Sequence, residues 1–510
     1  MNVNRNPPQK YTVEKLQTGI PGFDTVADGG LPSHSATLVA GTTGSAKTVL
    51  ACQYLAAGIT QFDQPGVLVT FEEAPRQICH YMSGFGWTIQ QWEAQGKWSF
   101  VDASPEAGEK PVVTGEYELA PILARIEHAI NKVGAKRLAV DALGAIFSYF
   151  SDPAQIRSEM YRIASTVKEL GVTTLITAER SHEYGNVSRY GMEEFVADNV
   201  IILRNILEEE KRRRSLEILK FRGSNHQKGE FPFSVLAGSG IEVVPLSTLE
   251  YEQESTAMRI PSGIEELDNM CGGGFFRDSV VLVSGATGTG KTLIVTQFLN
   301  GGIEHQERCL LFAFEERREQ LYRNARGWGV DFAAAETANR LKIVCRSPEA
   351  TGLEEHLIVI KDIINRYQPN RVAIDSLSAL ERTAPERAFR QFIISITAFV
   401  KSKKMTGIFT SNTSSLLGGS SVTDAHISTI TDSIILLRYV EVFGGMRRGI
   451  VVLKMRGSDH DKDIREFQIV NKQGMKIGHP FQQIAGILTG NFTYITASEE
   501  ARLNQMFSSD

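Results

Sequence analysis

Two segments each bring a lysine and a hydroxyl to the end of a small, glycine-bearing loop. They are Gly41-Thr42-Thr43-Gly44-Ser45-Ala46-Lys47-Thr48 and Gly285-Ala286-Thr287-Gly288-Thr289-Gly290-Lys291-Thr292. Such a loop wraps backbone N–H groups around phosphate oxygens. Its lysine neutralises charge and its last threonine hydroxyl reaches a magnesium ion. The second segment matches the nucleotide-phosphate pattern fully. The first departs from it at Ala46, which replaces the usual glycine. Alanine is tolerated there where φ is negative, so the expectation is a loop slightly strained or differently tuned.

Carboxylates recur at matching places. Asp141 closes Leu-Ala-Val-Asp and Asp375 closes Val-Ala-Ile-Asp, each an acid ending an apolar run. An acid so placed near a phosphate loop holds Mg²⁺ through water. Glu72-Glu73 and Glu315-Glu316 follow other apolar runs. Adjacent side chains on a strand point to opposite faces, so one glutamate activates the nucleophile while the other supports the metal or fixes its neighbour. Which one does which is open at this level. Thr48 with Asp141, and Thr292 with Glu315 and Asp375, are the expected metal-holding residues.

A third element closes both halves: Arg214, then Lys220-Phe221-Arg222-Gly-Ser224-Asn-His226, and Arg448, then Lys454-Met455-Arg456-Gly-Ser458-Asp-His460. The basic residues sit at even spacings, so a continuous strand presents them on one face as an anion-binding row. No acidic ladder in the same half is evident to neutralise it. In ring ATPases such a face commonly completes the neighbouring subunit's site.

These groups must be positioned by repeated elements. Gly41 and Gly285 lie 244 residues apart, as do Gly19 and Gly263; the Glu pairs and the Ser104-Pro-Glu106 and Ser347-Pro-Glu349 segments lie 243 apart. From Asp141 and Asp375 onward the offset is 234, so the first copy holds nine extra residues between Glu106 and Asp141. Tandem duplication follows. Expected strands are Val67–Phe71, Arg137–Val140, Thr173–Thr177 and Val200–Leu203, with counterparts at Leu310–Phe314, Arg371–Ile374, Gly407–Thr410 and Ile434–Leu437. Near-continuous apolar strands between helical stretches predict an α/β fold, a mostly parallel sheet with helices on both faces and ligands beyond the carboxyl strand ends. The predicted layout is a first domain over 1–246, a linker at 247–260, a second domain over 261–496 and a tail at 497–510.

With these residues in place, the chain resembles the KaiC proteins, tandem RecA-like P-loop ATPases, from Gly19 to about Thr496. The resemblance also rests on Thr423-Asp-Ala-His-Ile-Ser428-Thr429-Ile-Thr-Asp432, which looks like the family's autophosphorylation site, with Ser428 and Thr429 as acceptors. It implies a two-tiered homohexamer binding ATP and Mg²⁺ between subunits. The first tier hydrolyses ATP slowly; the second is a serine/threonine autokinase, autophosphatase and ATPase. It also implies nucleotide contacts from both phosphate loops, from both basic elements and from Trp328. A KaiB-like partner is expected on the first domain over 107–122, and a downstream histidine kinase or other signalling partner beyond that. Gln482–Gly490 resembles the family's regulatory loop. At the 234 offset, Ser428 and Thr429 lie opposite Glu194 and Phe195, so the first copy has no adjacent hydroxyl pair to phosphorylate.

Net charge of −5 argues against a generally basic nucleic-acid surface. The alternative, a RecA- or DnaB-like DNA motor, needs basic loops lining a channel. Gly418–Thr431 has no Lys or Arg, and Arg180–Asp198 sets two arginines against four acids. That is a poor phosphate track. Five cysteines without a C-x-x-C pair read as reduced thiols of a cytoplasmic protein, and no apolar run approaches a membrane span.

Overall fold

The computed structural model describes residues 13–103, 120–142, 144, 153–188, 197–208, 210–245, 255–413, 429–442, 444–482, 484–487 and 493–494. The chain divides into two compact units, 1–246 and 247–510. Each is built on its own nine-stranded sheet.

In the first unit a short pair, β1 (Lys15–Leu16) and β2 (Leu31–Pro32), brackets α1 (Phe23–Val26). The main sheet holds β3 (Ala36–Gly41), β4 (Gly66–Thr70), β5 (Trp98–Asp102), β6 (Arg137–Asp141), β7 (Thr173–Glu179), β8 (Asn199–Glu208), β9 (Lys211–Phe221), β10 (Glu230–Leu236) and β11 (Gly240–Val243). Its order is β11-β10-β9-β8-β3-β7-β6-β4-β5, parallel from β8 to β5 and antiparallel from β8 to β11. The helices are α2 (Lys47–Phe62), α3 (Pro75–Ser83), α4 (Ile89–Ala94), α5 (Ala120–Val133) and α6 (Pro153–Glu169).

The second unit repeats this. A short pair, β12 (Arg259–Ile260) and β13 (Phe275–Phe276), brackets α7 (Glu265–Met270). Arg259 and Ile260, expected at the end of the linker, are thus already paired. The sheet contains β14 (Val280–Gly285), β15 (Cys309–Ala313), β16 (Leu341–Cys345), β17 (Arg371–Asp375), β18 (Thr406–Asn412), β19 (Ser433–Val442), β20 (Gly445–Met455), β21 (Arg465–Val470) and β22 (Gly474–Pro480). Its order, β16-β15-β17-β18-β14-β19-β20-β21-β22, is the same topology. The helices are α8 (Lys291–Glu304), α9 (Arg318–Gly327), α10 (Phe332–Thr337), α11 (Leu353–Tyr367), α12 (Leu377–Glu381) and α13 (Glu386–Ser402). Ile484–Ala485 and Thr493–Tyr494 form a last antiparallel pair, β23 and β24.

The phosphate-loop helices α2 and α8 are apolar nearly all round because sheet and flanking elements cover them. Leu50, Ala51, Cys52, Tyr54 and Leu55 are buried in one, Leu293, Ile294, Val295, Phe298 and Leu299 in the other. Each large side chain contributes about 1.5–3 kcal/mol by leaving water. A buried arginine ties each helix to its sheet. Arg137 donates to the carbonyls of Gln17, Thr18 and Tyr54 and to Gln64 Oε1. Arg371 does the same with Pro261, Phe298 and Glu307. These bonds hold the far ends of β6 and β17, the strands whose carboxyl ends carry Asp141 and Asp375.

Candidate functional site

Both phosphate loops leave the middle of a sheet. β3 lies between β7 and β8, and β14 between β18 and β19. A Cβ on Gly41 would stand 2.3 Å from Ser45 Oγ, so only glycine lets this turn close. Ser45 Oγ donates to Thr42 O and Thr289 Oγ1 to Ala286 O, both at 2.7 Å, bracing the loops from within. Lys47 Nζ donates to the carbonyls of Gly41 and Thr42 at 3.0 Å, and Lys291 Nζ to those of Gly285 and Ala286 at 2.8 and 2.9 Å. Each ammonium therefore sits at the mouth of its own loop.

The carboxyl-end acids are held next to the helix threonines. Thr48 Oγ1 donates to Asp141 Oδ2 at 2.7 Å and Thr292 Oγ1 to Asp375 Oδ2 at 2.8 Å. The second carboxylate oxygens accept from Thr177 and Thr410, neighbours on the adjoining strand. Hydroxyl and carboxylate are the hard oxygen donors that Mg²⁺ takes together with substrate phosphates and water. Among the described residues no group of three or more His, Cys, Asp or Glu forms a metal cage. This donor set fits an ion brought in with a nucleotide.

Both glutamate pairs lie just past their strands, in the bends after β4 and β15, so strand pleat does not set them apart, and the two members of each pair meet different surroundings. Burial, and then the fields of Glu179 and Asp141, raise the Glu72 carboxyl; burial and then Asp141 raise that of Glu73. Burial lowers Lys47, opposed by Glu179, Asp141, Glu72 and Glu183. Burial lowers Lys291 as well, against Asp375 and Glu315. In both sites it is the first glutamate whose charge reaches the lysine. Glu316 instead accepts from Asn324 Nδ2 at 2.9 Å, and burial followed by Asp375 raises it. Glu315 pairs with Arg382 at 3.2 Å.

Two acids at the first site escaped the sequence reasoning. Glu179 ends β7 in register with Gly41. Glu183 accepts from Thr42 Oγ1 at 2.5 Å and from the Asn205 N–H at 3.0 Å. In the second sheet it is Asn412 that lies in register with Gly285, so a neutral amide stands where the first site has Glu179. The first site is thus richer in carboxylate than the second, and a position-by-position comparison of the repeats carries that signal.

Ala46 carries the strain expected of it. Its φ is +70°, in the left-handed region, where the equivalent Gly290 has +110°. The alanine is therefore not in the negative-φ setting that would tolerate it, and a Cβ in this region costs ~1–2 kcal/mol. Ala46→Gly is expected to stabilise the first unit by about 0.5–1 kcal/mol, after glycine's own entropy is subtracted. A urea melt followed by a probe in that unit measures it; an unchanged or lower midpoint would mean the loop relaxes around alanine.

A family model described as "ATPase: KaiC" matches residues 16–248 and again 260–481. The chain belongs to the KaiC family. Circadian clock protein KaiC3 of Synechocystis sp. is 63% identical, covering 97% of this chain and 98% of its own. The circadian clock oscillator protein KaiC of Thermostichus vulcanus is 49% identical over 96% of this chain and 94% of its own. That of Synechococcus elongatus is 48% identical over 99% and 97%. This is an ATPase family, so the nucleotide for the two loops is ATP, and the DNA-motor alternative is not favoured.

The KaiC basic element departs from the single-face row. Pairing slips by one residue between β8 and β9, so Ile201 faces Ile218 while Val200 faces Lys220. Leu219 is an extra residue, a β-bulge, and the alternation inverts across it. Arg214 therefore shares the face of Leu216 and Ile218, and Lys220 takes the other. Arg214 Nε donates to Gly44 O of its own phosphate loop at 3.2 Å. Lys220 Nζ reaches Ala197 O at 2.7 Å, and Arg222 meets Asp198 at 3.7 Å. The same slip separates Ile434 from Ile435 in β19. Arg448 lies over Tyr439, Lys454 Nζ reaches Thr431 O at 2.7 Å, and Arg456 approaches Asp432 at 4.0 Å. An acid thus does face each element, contrary to expectation.

The remaining residues keep to the same turn. Phe221 meets the His226 ring edge-on, and Ser224 Oγ donates to Asn225 O. Met455 is buried; Ser458 accepts from Arg259, and the His460 N–H donates to Asp459. Trp328 ends α9, half-buried against the second core. Thr429 is exposed, and its carbonyl accepts from Arg456 at 2.7 Å. Ser428, Glu194, Phe195, most of 107–122 and the tail at 497–510 lie outside the described residues. No helix among the described residues is long and apolar enough to cross a membrane.

Proposed function

We propose that this KaiC-family ATPase is a phosphorylating timing switch. Its first unit hydrolyses ATP and its second transfers the γ-phosphoryl group to Ser428 and Thr429 of the same protein, later removing it. The observation that carries this reading is the pair of Lys–Thr–Asp–Glu sites set in equivalent sheets, one with extra acids and one in the unit whose sequence holds the hydroxyl-rich segment Gly418–Thr431. The relatives' printed role in circadian clocks supports a timing function.

In each site Thr48 with Asp141, or Thr292 with Asp375, would hold Mg²⁺, Glu315 supporting it in the second. The ion would neutralise phosphate charge as the bond to the γ-phosphoryl breaks. Lys47 and Lys291 leave their loop carbonyls to meet the phosphates. Glu72 takes the proton of the attacking water. Glu315, paired with Arg382 at 3.2 Å, takes that of the acceptor hydroxyl. Glu73 and Glu316 position these partners.

Lys220, Arg222 and His226, and likewise Lys454, Arg456 and His460, gather at a Gly-Ser turn away from their own Lys47 and Lys291. That placement supports their completing a neighbour's ATP site in a homohexamer, with Trp328 in the second site. Nucleotide at an interface stabilises assembly by mass action. Lys47→Ala should therefore lower the hexamer fraction in gel filtration with ATP, whereas a mutant fully hexameric without nucleotide would show that the interface stands by itself. A KaiB-like protein on 107–122 and a histidine kinase downstream complete the proposal, together with a cytoplasmic location. Its direct test is incubation with γ-labelled ATP and mapping of phosphoresidues by mass spectrometry. Label confined to Ser428 and Thr429 supports the switch; no label leaves an ATPase alone.

A further inference from the structure

The two sheets end differently at their parallel edges. In the second unit β16 is capped. The outward N–H of Ile343 donates to Glu336 Oε1 at 2.9 Å, and its carbonyl accepts from Arg318 at 2.6 Å. Tyr322 and Arg318 both bond Glu336 and hold it there. Side chains of α9 and α10 thus occupy the backbone groups that another strand would use, a known protection against edge pairing.

The first unit has the same elements without the cap. At the 243 offset, Ile343 becomes Phe100, Glu336 becomes Glu93, Arg318 becomes Pro75 and Tyr322 becomes Cys79. Proline and cysteine can neither anchor the glutamate nor donate to the strand. The Gly66 N–H donates to Lys97 O and the Ala103 N–H to Thr70 O. The alternation therefore turns the backbone N–H and C=O groups of Trp98, Phe100 and Asp102 toward the edge. Arg125 caps Asp102 O at 2.7 Å. The N–H and C=O of Phe100 take no partner among the described residues.

A groove of about 350 Å³ runs along this open edge, between β5 and α5. Arg125, His128 and Lys132 line its helix wall, all three exposed. Their spacing of three and four places them on one helix face. An open strand edge beside a basic stripe is complementary to an extended chain bearing carboxylates.

We propose that β5 of the first unit docks an extended acidic segment of a partner protein, which adds to the sheet beside Phe100 while its carboxylates meet Arg125, His128 and Lys132. The added strand exchanges backbone hydrogen bonds with Phe100 and ends where Arg125 caps the strand. The second unit is closed to the same event, so binding is confined to one sheet of the duplicated chain.

The test uses the full chain and two eight-residue peptides, one alternating valine with glutamate and one alternating valine with lysine. Fluorescence anisotropy reads binding, and hydrogen exchange reads the amides of 98–102. The acidic peptide should bind, slow exchange in 98–102 and leave 341–345 unchanged, and its affinity should fall with added salt. Pro75→Arg with Cys79→Tyr, which rebuilds the cap, should weaken binding about tenfold, the worth of a lost backbone hydrogen bond. Reversing Arg125, His128 and Lys132 to glutamate should transfer preference to the lysine peptide without reconstructing α3. No protection at 98–102, equal binding of both peptides by the unaltered chain, or undiminished binding by the capped variant would each overturn the proposal.

Discussion

Hydrolysis in the first unit is expected to fall ~10²–10⁴-fold when Glu72 and Glu73 become glutamine, with ATP still bound. An amide keeps the carboxylate's shape but cannot accept the proton of the attacking water. The electrostatics of the site sharpen the expectation, because after Glu179 and Asp141 it is Glu72, and not Glu73, whose charge acts on Lys47. Most of the loss should therefore appear in Glu72→Gln alone, and Glu73→Gln should cost less. Phosphate release measured in a Lys291→Ala background isolates the first site, and filter retention of nucleotide separates catalysis from binding. A wild-type rate in Glu72→Gln would move the base elsewhere. In the second unit, Glu315→Gln with Glu316→Gln should remove protein labelling.

Replacing Ser428 and Thr429 with alanine should abolish label transfer from γ-labelled ATP while leaving first-unit hydrolysis intact. In the proposed switch the two hydroxyls are the acceptors, whereas hydrolysis in the first unit is assigned to Lys47, Thr48, Asp141 and Glu72. The first unit has Glu194 and Phe195 at the matching positions, so it cannot take over as acceptor. The effect is a loss of signal to background, read by autoradiography and confirmed by phosphopeptide mapping. Undiminished labelling of the double mutant would remove Ser428 and Thr429 from the proposal.

Much of this molecule was legible because its signals are local or repeated. A glycine loop followed by Lys-Thr, an acid closing an apolar run and a constant offset between copies need no tertiary knowledge. Each is short-range chemistry, and duplication shows it twice. The eight expected strands all appear, since buried parallel strands are apolar on both faces and leave continuous runs. What sequence spacing misjudged was the basic element. Even spacing implies one face only while pairing is regular, and the bulges at Leu219 and Leu453 invert the faces. A bulge depends on how two strands meet, so spacing within one of them cannot reveal it.

Ala46 shows the same division. Its identity was plain, but whether alanine is tolerated turned on a φ of +70°, fixed by closure of the loop between β3 and α2. Glu179 and Glu183 were unremarkable acids until β7 lay beside β3 and brought them to Lys47 and Thr42. The first sheet's open edge, too, rests on identities visible in the chain, Pro75 and Cys79 where the other copy has Arg318 and Tyr322. That these residues govern a strand edge was decided by the packing of α3 and α4 against β5. The sequence alone thus determined the duplication, the phosphate loops and the family resemblance, because those lie in contiguous residues. Tertiary structure decided which glutamate faces each lysine, which way each arginine turns and which edge stays open, because those depend on strand register and on side chains brought together from distant segments.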